Sequence, residues 1–224
     1  MPPKKNFHQV FQGRISRITQ EFTRGFRFVS GFKKAVAIFG STRARPENPH
    51  YQEAEKLGRL LAKAGFTVVT GGGPGIMEAA NKGAFLERGE SAGLNIELLD
   101  GQLTNKYVTQ PIGFHYFFTR KVMFSFASRG YVFFPGGFGT LDEFFEMVTL
   151  IQTKKLQKPP VVVAVGKSYW GPLFKWLKED VYGKWKAISK EELGIFFLVD
   201  SAKEAFEIIK KYQQNHFNGG SHNH

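Results

Sequence analysis

The stretch FTVVTGGGPGIME, residues 66–78, decides the fold because it joins a short apolar strand to a helix through a glycine-rich turn. The same order recurs in YVFFPGGFGTLDE, residues 131–143. Other apolar runs of strand length lie at residues 35–39, 91–96, 161–165 and 196–199. Strands that are apolar on both faces and alternate with helices are typical of a parallel sheet covered by helices. The sequence therefore predicts an α/β protein with a Rossmann-like, doubly wound sheet.

Helical patterns separate these strands. They predict helices through Ala54 to Leu61 and over about 76–86, 114–128, 141–152, 169–178 and 202–212, whereas residues 97–112 look irregular. Because crossovers between parallel strands are right-handed, ligands bind in a crevice at the carboxyl ends of the strands. We therefore expect both glycine-rich turns at the same edge of the sheet.

The composition restricts the class of protein. The chain has 224 residues, 24 of them Phe, and it has no Cys, which excludes disulfide scaffolds, zinc–thiolate sites, iron–sulfur clusters and cysteine nucleophiles. Its apolar runs are too short to span a bilayer, and no signal-peptide pattern opens it, so we expect a cytoplasmic protein. We predict a basic arm over residues 1–33, one catalytic domain over residues 34–213 and a disordered tail over residues 214–224.

The net charge of +12 is concentrated in the amino-terminal segment. Residues 1–45 contain ten Lys and Arg residues and one acid, Glu21. Apolar residues recur at helical spacing from Phe7 to Val29, which predicts an amphipathic helix, although Gly13 and Gly25 weaken that prediction. Such a helix could dock on its own domain or on a partner subunit, could be an organelle-targeting segment, or could contact a membrane or nucleic acid. We favour docking.

Both glycine-rich turns are suited to binding a phosphate. Glycines let backbone N–H groups approach an anion, and the helix that follows adds free donors and a favourable dipole, although tight turns use glycine for conformational reasons as well. Neither turn matches the Walker or the dinucleotide pattern. The sequence thus favours a phosphate-bearing ligand over ATP hydrolysis or NAD binding.

The charged residues near these turns have two interpretations each. Thr140 and Glu143 have the spacing of a capping box, in which Glu143 would only hold the start of a helix. Arg120 and Lys121 lie on a Phe-rich helix and could be solvated charges. Spacing alone does not choose between structural and chemical roles.

Together these segments resemble the Lonely Guy family, the cytokinin riboside 5′-monophosphate phosphoribohydrolases long labelled possible lysine decarboxylases. The family motif P-G-G-x-G-T-x-x-E is complete from Pro135 to Glu143. Its R-K-x-x-M/F-like partner runs from Arg120 to Met123. The turn at 40–43 and the segment 93–97 are similar to the longer bacterial branch. The resemblance extends from about residue 34 to residue 210.

The resemblance implies hydrolysis of the N-glycosidic bond of AMP or an N6-substituted AMP, giving free base and ribose 5-phosphate without a metal or cofactor. Glu143 would offset the oxocarbenium-like charge and activate water, and Arg120 would stabilise the departing base or orient the substrate. Substrate contacts are implied for Ser41, Gly72, Gly73, Gly75, Glu97, Lys121, Met123, Gly136, Gly137, Phe138, Gly139, Thr140, Leu141, Asp142 and Thr149. Met123 could equally be a core residue.

Other functions remain open at the level of sequence. A non-catalytic carrier of a nucleotide or phosphorylated cofactor would use the same glycine-rich turns. Pyridoxal-phosphate chemistry is disfavoured because no lysine lies in either turn. Family relatives imply a homodimer or a higher homo-oligomer, and contact of the basic arm with nucleic acid or membrane is the less favoured expectation.

Overall fold

A computed structural model of the chain describes residues 7–97, 104–156 and 159–217. Its strands are β1 (Ala35–Phe39), β2 (Thr67–Thr70), β3 (Ser91–Ile96), β4 (Gln110–Phe114), β5 (Gly130–Phe133), β6 (Val161–Val165) and β7 (Phe196–Val199). They form one sheet in the order β4-β3-β2-β1-β5-β6-β7, and every pairing is parallel. The predicted Rossmann-like α/β fold is confirmed.

Helices cover both faces of this sheet. They are α1 (Phe7–Val29), α2 (Pro49–Lys63), α3 (Ile76–Leu86), α4 (Phe117–Ala127), α5 (Phe138–Gln152), α6 (Lys167–Trp176), a π-helix (Leu177–Lys184), a 3₁₀-helix (Glu192–Gly194) and α7 (Ala202–Phe217). Because side chains alternate along a strand, Val36 and Ile38 of β1 pack with α2, α3 and α7, whereas Ala37 and Phe39 pack with α4, α5 and α6. None of the described helices has the length and apolar character needed to cross a bilayer.

Several predicted boundaries differ from the structure. Residues 110–112 of the segment predicted as irregular belong to β4, residues 98–103 of it lie outside the described residues, and α4 begins at Phe117 rather than at residue 114. β4 carries Pro111, which an edge strand tolerates because its outer N–H groups need no partner. α7 continues past residue 212 to Phe217, so the first part of the predicted tail is helical. Residues 218–224 of that tail lie outside the described residues.

The carboxyl-terminal half of α1 docks on its own domain. Glu21, Gly25 and Val29 are buried, and the Arg24 guanidinium donates to the carbonyl of Gly113 at the end of β4. Residues 11–17 are exposed. Docking of the arm on its own domain is therefore confirmed for its second half.

The order of strands reverses between β1 and β5, and the turns that follow β1, β2 and β5 meet there. The Ser41 N–H donates to the Pro135 carbonyl at 2.9 Å, and the Ile76 N–H donates to the Ser41 carbonyl at 3.0 Å. A Cβ on Gly75 would lie 2.2 Å from the Ser41 carbonyl oxygen. The fold therefore brings both glycine-rich turns together at the point where such sheets bind ligands.

Close backbone contact between α2 and α3 gives a test of the fold. A Cβ on Gly83 would lie 2.0 Å from the Glu55 carbonyl oxygen and 2.9 Å from the Arg59 nitrogen. We expect Gly83→Ala to lower the free energy of unfolding by about 1–3 kcal/mol, because the two helix backbones must separate. Urea denaturation measures the change.

The matched control is Gly13→Ala in α1, where an added Cβ meets nothing within 4 Å. This control should leave stability unchanged or raise it by up to about 1 kcal/mol, through better helix propensity. Equal stability of both variants would contradict the described packing of α2 on α3.

Candidate active site

A cavity of about 300 Å³ opens where the turns after β1, β2 and β5 meet. Its walls come from those turns and from α4 and α5. It is lined by Phe39, Gly40, Thr42, Gly71, Met77, Ile96, Phe117, Arg120, Phe124, Gly137, Gly139, Thr140, Asp142 and Glu143. Both predicted catalytic residues and four predicted substrate-binding residues thus share one cavity.

Glu143 lies inside α5 rather than at its start. α5 begins at Phe138, its N-cap is Gly137, and no side chain caps it. Thr140 is therefore already helical, and the capping-box interpretation of Thr140 and Glu143 is wrong. Glu143 is instead 5% exposed, and its Oε2 atom has no hydrogen-bond partner among the described residues. A buried carboxylate oxygen without a partner is costly, which favours a chemical role.

The surroundings of Glu143 favour its protonated form. Burial raises the pKa of Glu143, and the carboxylate of Glu146, one turn further along α5, raises it again. The positive charges of Arg120 and Lys121 act in the opposite direction without cancelling the rise. A carboxyl group whose pKa is raised toward neutrality is a stronger base when it is ionised, so Glu143 is suited to general base catalysis.

Arg120 contributes a cation to the same cavity. Its guanidinium carbon lies 5.3 Å from the centroid of the Phe117 ring and 5.7 Å from that of Phe124, on the same helix. Its Nε atom is buried without a hydrogen-bond partner in the described part of the chain. Burial lowers the pKa of Arg120, and Glu143 partly offsets this. The guanidinium thus has donor capacity left for a ligand.

The turn before α5 leaves room for an anion. A Cβ on Gly137 or on Gly139 would meet nothing within 4 Å, so the backbone there is open to the cavity. A Cβ on Gly136 would lie 2.1 Å from the Thr140 Oγ1 atom, and the Tyr169 hydroxyl donates to the Gly136 carbonyl at 2.6 Å. The first N–H groups of a helix have no intrahelical acceptor. This turn is therefore fixed on one side and able to bind an anion on the other.

Two neighbouring depressions contain further predicted residues. One, of about 690 Å³, is lined by Ser41, Gly136, Gly137 and Phe138 together with residues such as Arg43 and Tyr169. The other, of about 620 Å³, follows α5 and is lined by Phe138, Leu141, Asp142, Phe145, Glu146, Thr149 and Leu150. Phe138 borders both and is 92% exposed. The site is a crevice with an aromatic side chain at its mouth.

The other predicted substrate contacts do not line these cavities. Met123 is fully buried in the core beside Gly25 of α1. Glu97 is exposed, and its carboxylate lies 3.8 Å from the Nδ1 atom of His115. Lys121 forms ion pairs with Asp142 at 2.8 Å and with Glu146 at 3.3 Å. Lys121 therefore contacts the carboxylates of α5 directly.

The first glycine-rich turn is held by a buried polar network that the sequence analysis did not identify. Asn105 donates to the Gly73 carbonyl at 3.0 Å and to Asn81 Oδ1 at 3.0 Å. Thr70 donates to the same Asn81 oxygen at 2.6 Å and accepts from the Gly72 N–H at 2.9 Å. Gly72, Gly73 and the similarly placed Gly75 thus shape the turn, and only Gly71 of this run lines the 300 Å³ cavity.

Among the residues at the site that were not predicted, three bear on its charges. Phe117 and Phe124 stand three before and four after Arg120, a helical spacing that could have signalled stacking on its guanidinium. Glu146 stands three residues after Glu143, on the same face of α5. The effect of the Glu146 charge on the pKa of Glu143 depends on the burial of these side chains, which residue spacing does not reveal.

The residues of this site do not fit pyridoxal phosphate. Such chemistry needs a lysine whose amine forms a Schiff base, and no lysine lines the 300 Å³ cavity. Burial lowers the pKa of Lys121, but the hydrogen bond to Asp142 and the charge of Glu146 raise it above its ordinary value, which disfavours a nucleophilic amine. No cluster of three metal-binding side chains occurs within residues 7–97, 104–156 and 159–217.

Sequence comparison relates this chain to a family model and to proteins named as phosphoribohydrolases. The family model described as possible lysine decarboxylase matches residues 77–209. The chain is 25% identical over 190 residues to a probable cytokinin riboside 5′-monophosphate phosphoribohydrolase of Oryza sativa subsp. japonica, covering 84% of this chain and 74% of that protein. It is 26% identical over 148 residues to the cytokinin riboside 5′-monophosphate phosphoribohydrolase of Rhodococcoides fascians, covering 65% and 74%.

Comparison of structures gives a likeness of fold. The molybdenum cofactor carrier protein of Chlamydomonas reinhardtii aligns with a TM-score of 0.57 and 23% sequence identity, covering 80% of this chain and 98% of that chain. Enzymes and carrier proteins therefore share this architecture, and the chemistry must be argued from the site.

The pairing of Glu143 with Glu146 can be tested by titration. We expect Glu146→Gln to lower the pKa of Glu143, because removing a neighbouring negative charge favours the ionised carboxylate. The carbon-13 shift of the Glu143 carboxyl, assigned by its loss in Glu143→Gln, follows the titration. Exposed Glu207 on α7 provides a control, Glu207→Gln, which should leave that pKa unchanged. A Glu143 pKa that stays constant or rises in Glu146→Gln would contradict the described geometry.

Proposed function

The chain belongs to the family described as possible lysine decarboxylases, which includes the Lonely Guy phosphoribohydrolases, and from this membership and the geometry around Glu143 we propose that it hydrolyses the N-glycosidic bond of a nucleoside 5′-monophosphate. The products are free base and ribose 5-phosphate. AMP and N6-substituted AMP are the substrate class. The observation that carries the proposal is the buried Glu143 carboxylate, which shares a cavity with Arg120 and with an open helix amino terminus.

Glu143 acts on the ribose in this proposal. Departure of the base leaves positive charge spread over the ring oxygen and C1′ of the sugar. The ionised carboxylate offsets that charge and accepts a proton from the water whose oxygen forms the new bond to C1′ as the bond from C1′ to the base nitrogen breaks. Transfer of that proton through water to the departing base gives the neutral free base and restores the ionised carboxylate. Low solvent exposure strengthens the electrostatic effect, because little water screens it.

Arg120 and the turn before α5 bind the two ends of the nucleotide. The guanidinium donates hydrogen bonds that stabilise the base as electrons move onto it, and its stacking on Phe117 and Phe124 limits the directions in which it points. The N–H groups of residues 137–139 and the Thr140 hydroxyl hold the phosphate. Both anchors keep C1′ beside Glu143.

Glu143 also distinguishes hydrolysis from simple carriage. A protein that only binds a phosphorylated ligand gains nothing from a buried carboxyl group in the same cavity, because the ionised form of that group weakens anion binding. For a hydrolase, the same carboxylate becomes useful when positive charge develops on the ribose. The site chemistry therefore supports the enzyme over the carrier.

Incubation with AMP and, separately, with isopentenyl-AMP tests the proposal, with free base measured by chromatography. We expect Glu143→Gln to lower kcat by about 100-fold or more and to change nucleotide affinity little, because the amide can neither take a proton nor offset positive charge. Glu207→Gln should retain full activity. A fully active Glu143→Gln would refute the assignment, and nucleotide binding without base release by the parent protein would indicate a carrier.

A further inference from the structure

Helix α4, which carries Arg120, lacks a cap of its own. Its N-cap residue is Tyr116, whose side chain makes no capping hydrogen bond, and its first turn contains no acidic residue. The first N–H groups of a helix need acceptors from elsewhere, and a negative charge near them is stabilising. The start of α4 is therefore positioned by contacts from outside the helix.

Glu21 of α1 places a negative charge near this end and holds the residues that lead into it. Its carboxylate accepts from the His115 N–H at 2.8 Å, from the Tyr116 N–H at 3.3 Å and from the Thr119 hydroxyl at 2.6 Å. The side chain is 5% exposed. This sole acid of residues 1–45 thus binds the two backbone N–H groups just before α4 and the Thr119 side chain in its first turn, more than ninety residues further along the chain.

Arg120 directly follows the residue that Glu21 holds. Its own N–H donates to the Tyr116 carbonyl at 3.3 Å, so its backbone is linked directly to a residue that Glu21 holds. Its side chain stacks on Phe117 and Phe124, which are also residues of α4. The position of the guanidinium therefore depends on how the first turn of α4 is held.

Further contacts hold α1 against β4 and α4. A Cβ on Gly25 would lie 2.5 Å from the Met123 sulfur and 3.2 Å from the Phe114 ring, so the two helices approach as closely as a glycine allows. Arg24 donates to the Gly113 carbonyl. Residues 7–29 lie outside the segment that matches the family, which begins at residue 77.

We propose that Glu21 is a positioning residue for Arg120. The basic arm thereby contributes to the active site by fixing the position of the Arg120 side chain. The carboxylate fixes the first turn of α4, and that turn aims the guanidinium at the base of the nucleotide. This inference rests on the proposed function for its kinetic consequences, while its geometric part concerns any ligand that Arg120 binds.

A double-mutant cycle between Glu21 and Arg120 tests the inference in the full-length chain. We expect Glu21→Ala to lower kcat for base release about 10- to 100-fold while changing KM by less than about threefold, because misplacing a group by an ångström costs that much in the transition state. In the Arg120→Lys background the same substitution should have almost no effect on kcat. Arg17→Ala, on the exposed face of α1, should behave as the parent in both backgrounds.

A merely structural role for Glu21 would give a different result. It would lower the melting temperature or the yield of folded protein without changing kcat per folded molecule. An unchanged kcat in Glu21→Ala, or an equal loss of kcat in the parent and Arg120→Lys backgrounds, would overturn the inference. If Glu21→Ala does not fold, Glu21→Gln replaces it in the cycle, since the amide keeps one acceptor oxygen and the volume of the side chain.

The failure of the proposed function would be recognised separately. If the parent protein binds AMP without releasing base, the same cycle is measured by calorimetric titration with AMP. Weaker AMP binding in Glu21→Ala that disappears in the Arg120→Lys background would then support the positioning role. Equal weakening in both backgrounds, or no weakening in either, would overturn it.

Discussion

Two backbone hydrogen bonds at Ser41 join the three turns around which the candidate site is built. The Ser41 N–H reaches the turn after β5, and its carbonyl accepts from the start of α3, so three neighbouring strand ends become one rigid rim. Glycines at 75 and 136 are needed because the turns approach so closely that a side chain would collide with backbone or with Thr140. With the rim fixed, the open side of the turn at Gly137 and Gly139 faces the cavity.

The charged residues around the cavity do not simply neutralise one another in pairs. Glu143 is buried beside a second carboxylate, Glu146, whereas Lys121 is engaged by Asp142 and Glu146 at the surface of the same helix pair. Arg120 lies across the cavity with part of its donor capacity unused. Such a set is unfavourable for stability, and it favours a ligand that acquires positive charge beside Glu143 and negative charge beside Arg120 during reaction.

Much of this architecture was predictable, and the exceptions have physical causes. β1, β3, β6 and β7 match their predicted bounds, because short apolar runs between turn residues leave little freedom in register. β4 was missed because it carries a proline, which is tolerated at this sheet edge but argues against a strand in the sequence. The motif brought Arg120 and Glu143 together correctly, but spacing did not show where α5 begins. The partnership of Glu21 with α4 depends on tertiary packing, which no local pattern encodes.

The long separation between Glu21 and its partners has a consequence for the order of folding. The acceptor lies in α1, and the donors at residues 115–119 follow 94 to 98 residues later. Closing so long a loop is entropically costly and slow compared with local helix formation. α1 is therefore synthesised before β4 and α4, the two elements on which it docks. The turn that carries Arg120 is completed late, and the nascent chain acquires a formed ligand site only after most of the sheet has assembled.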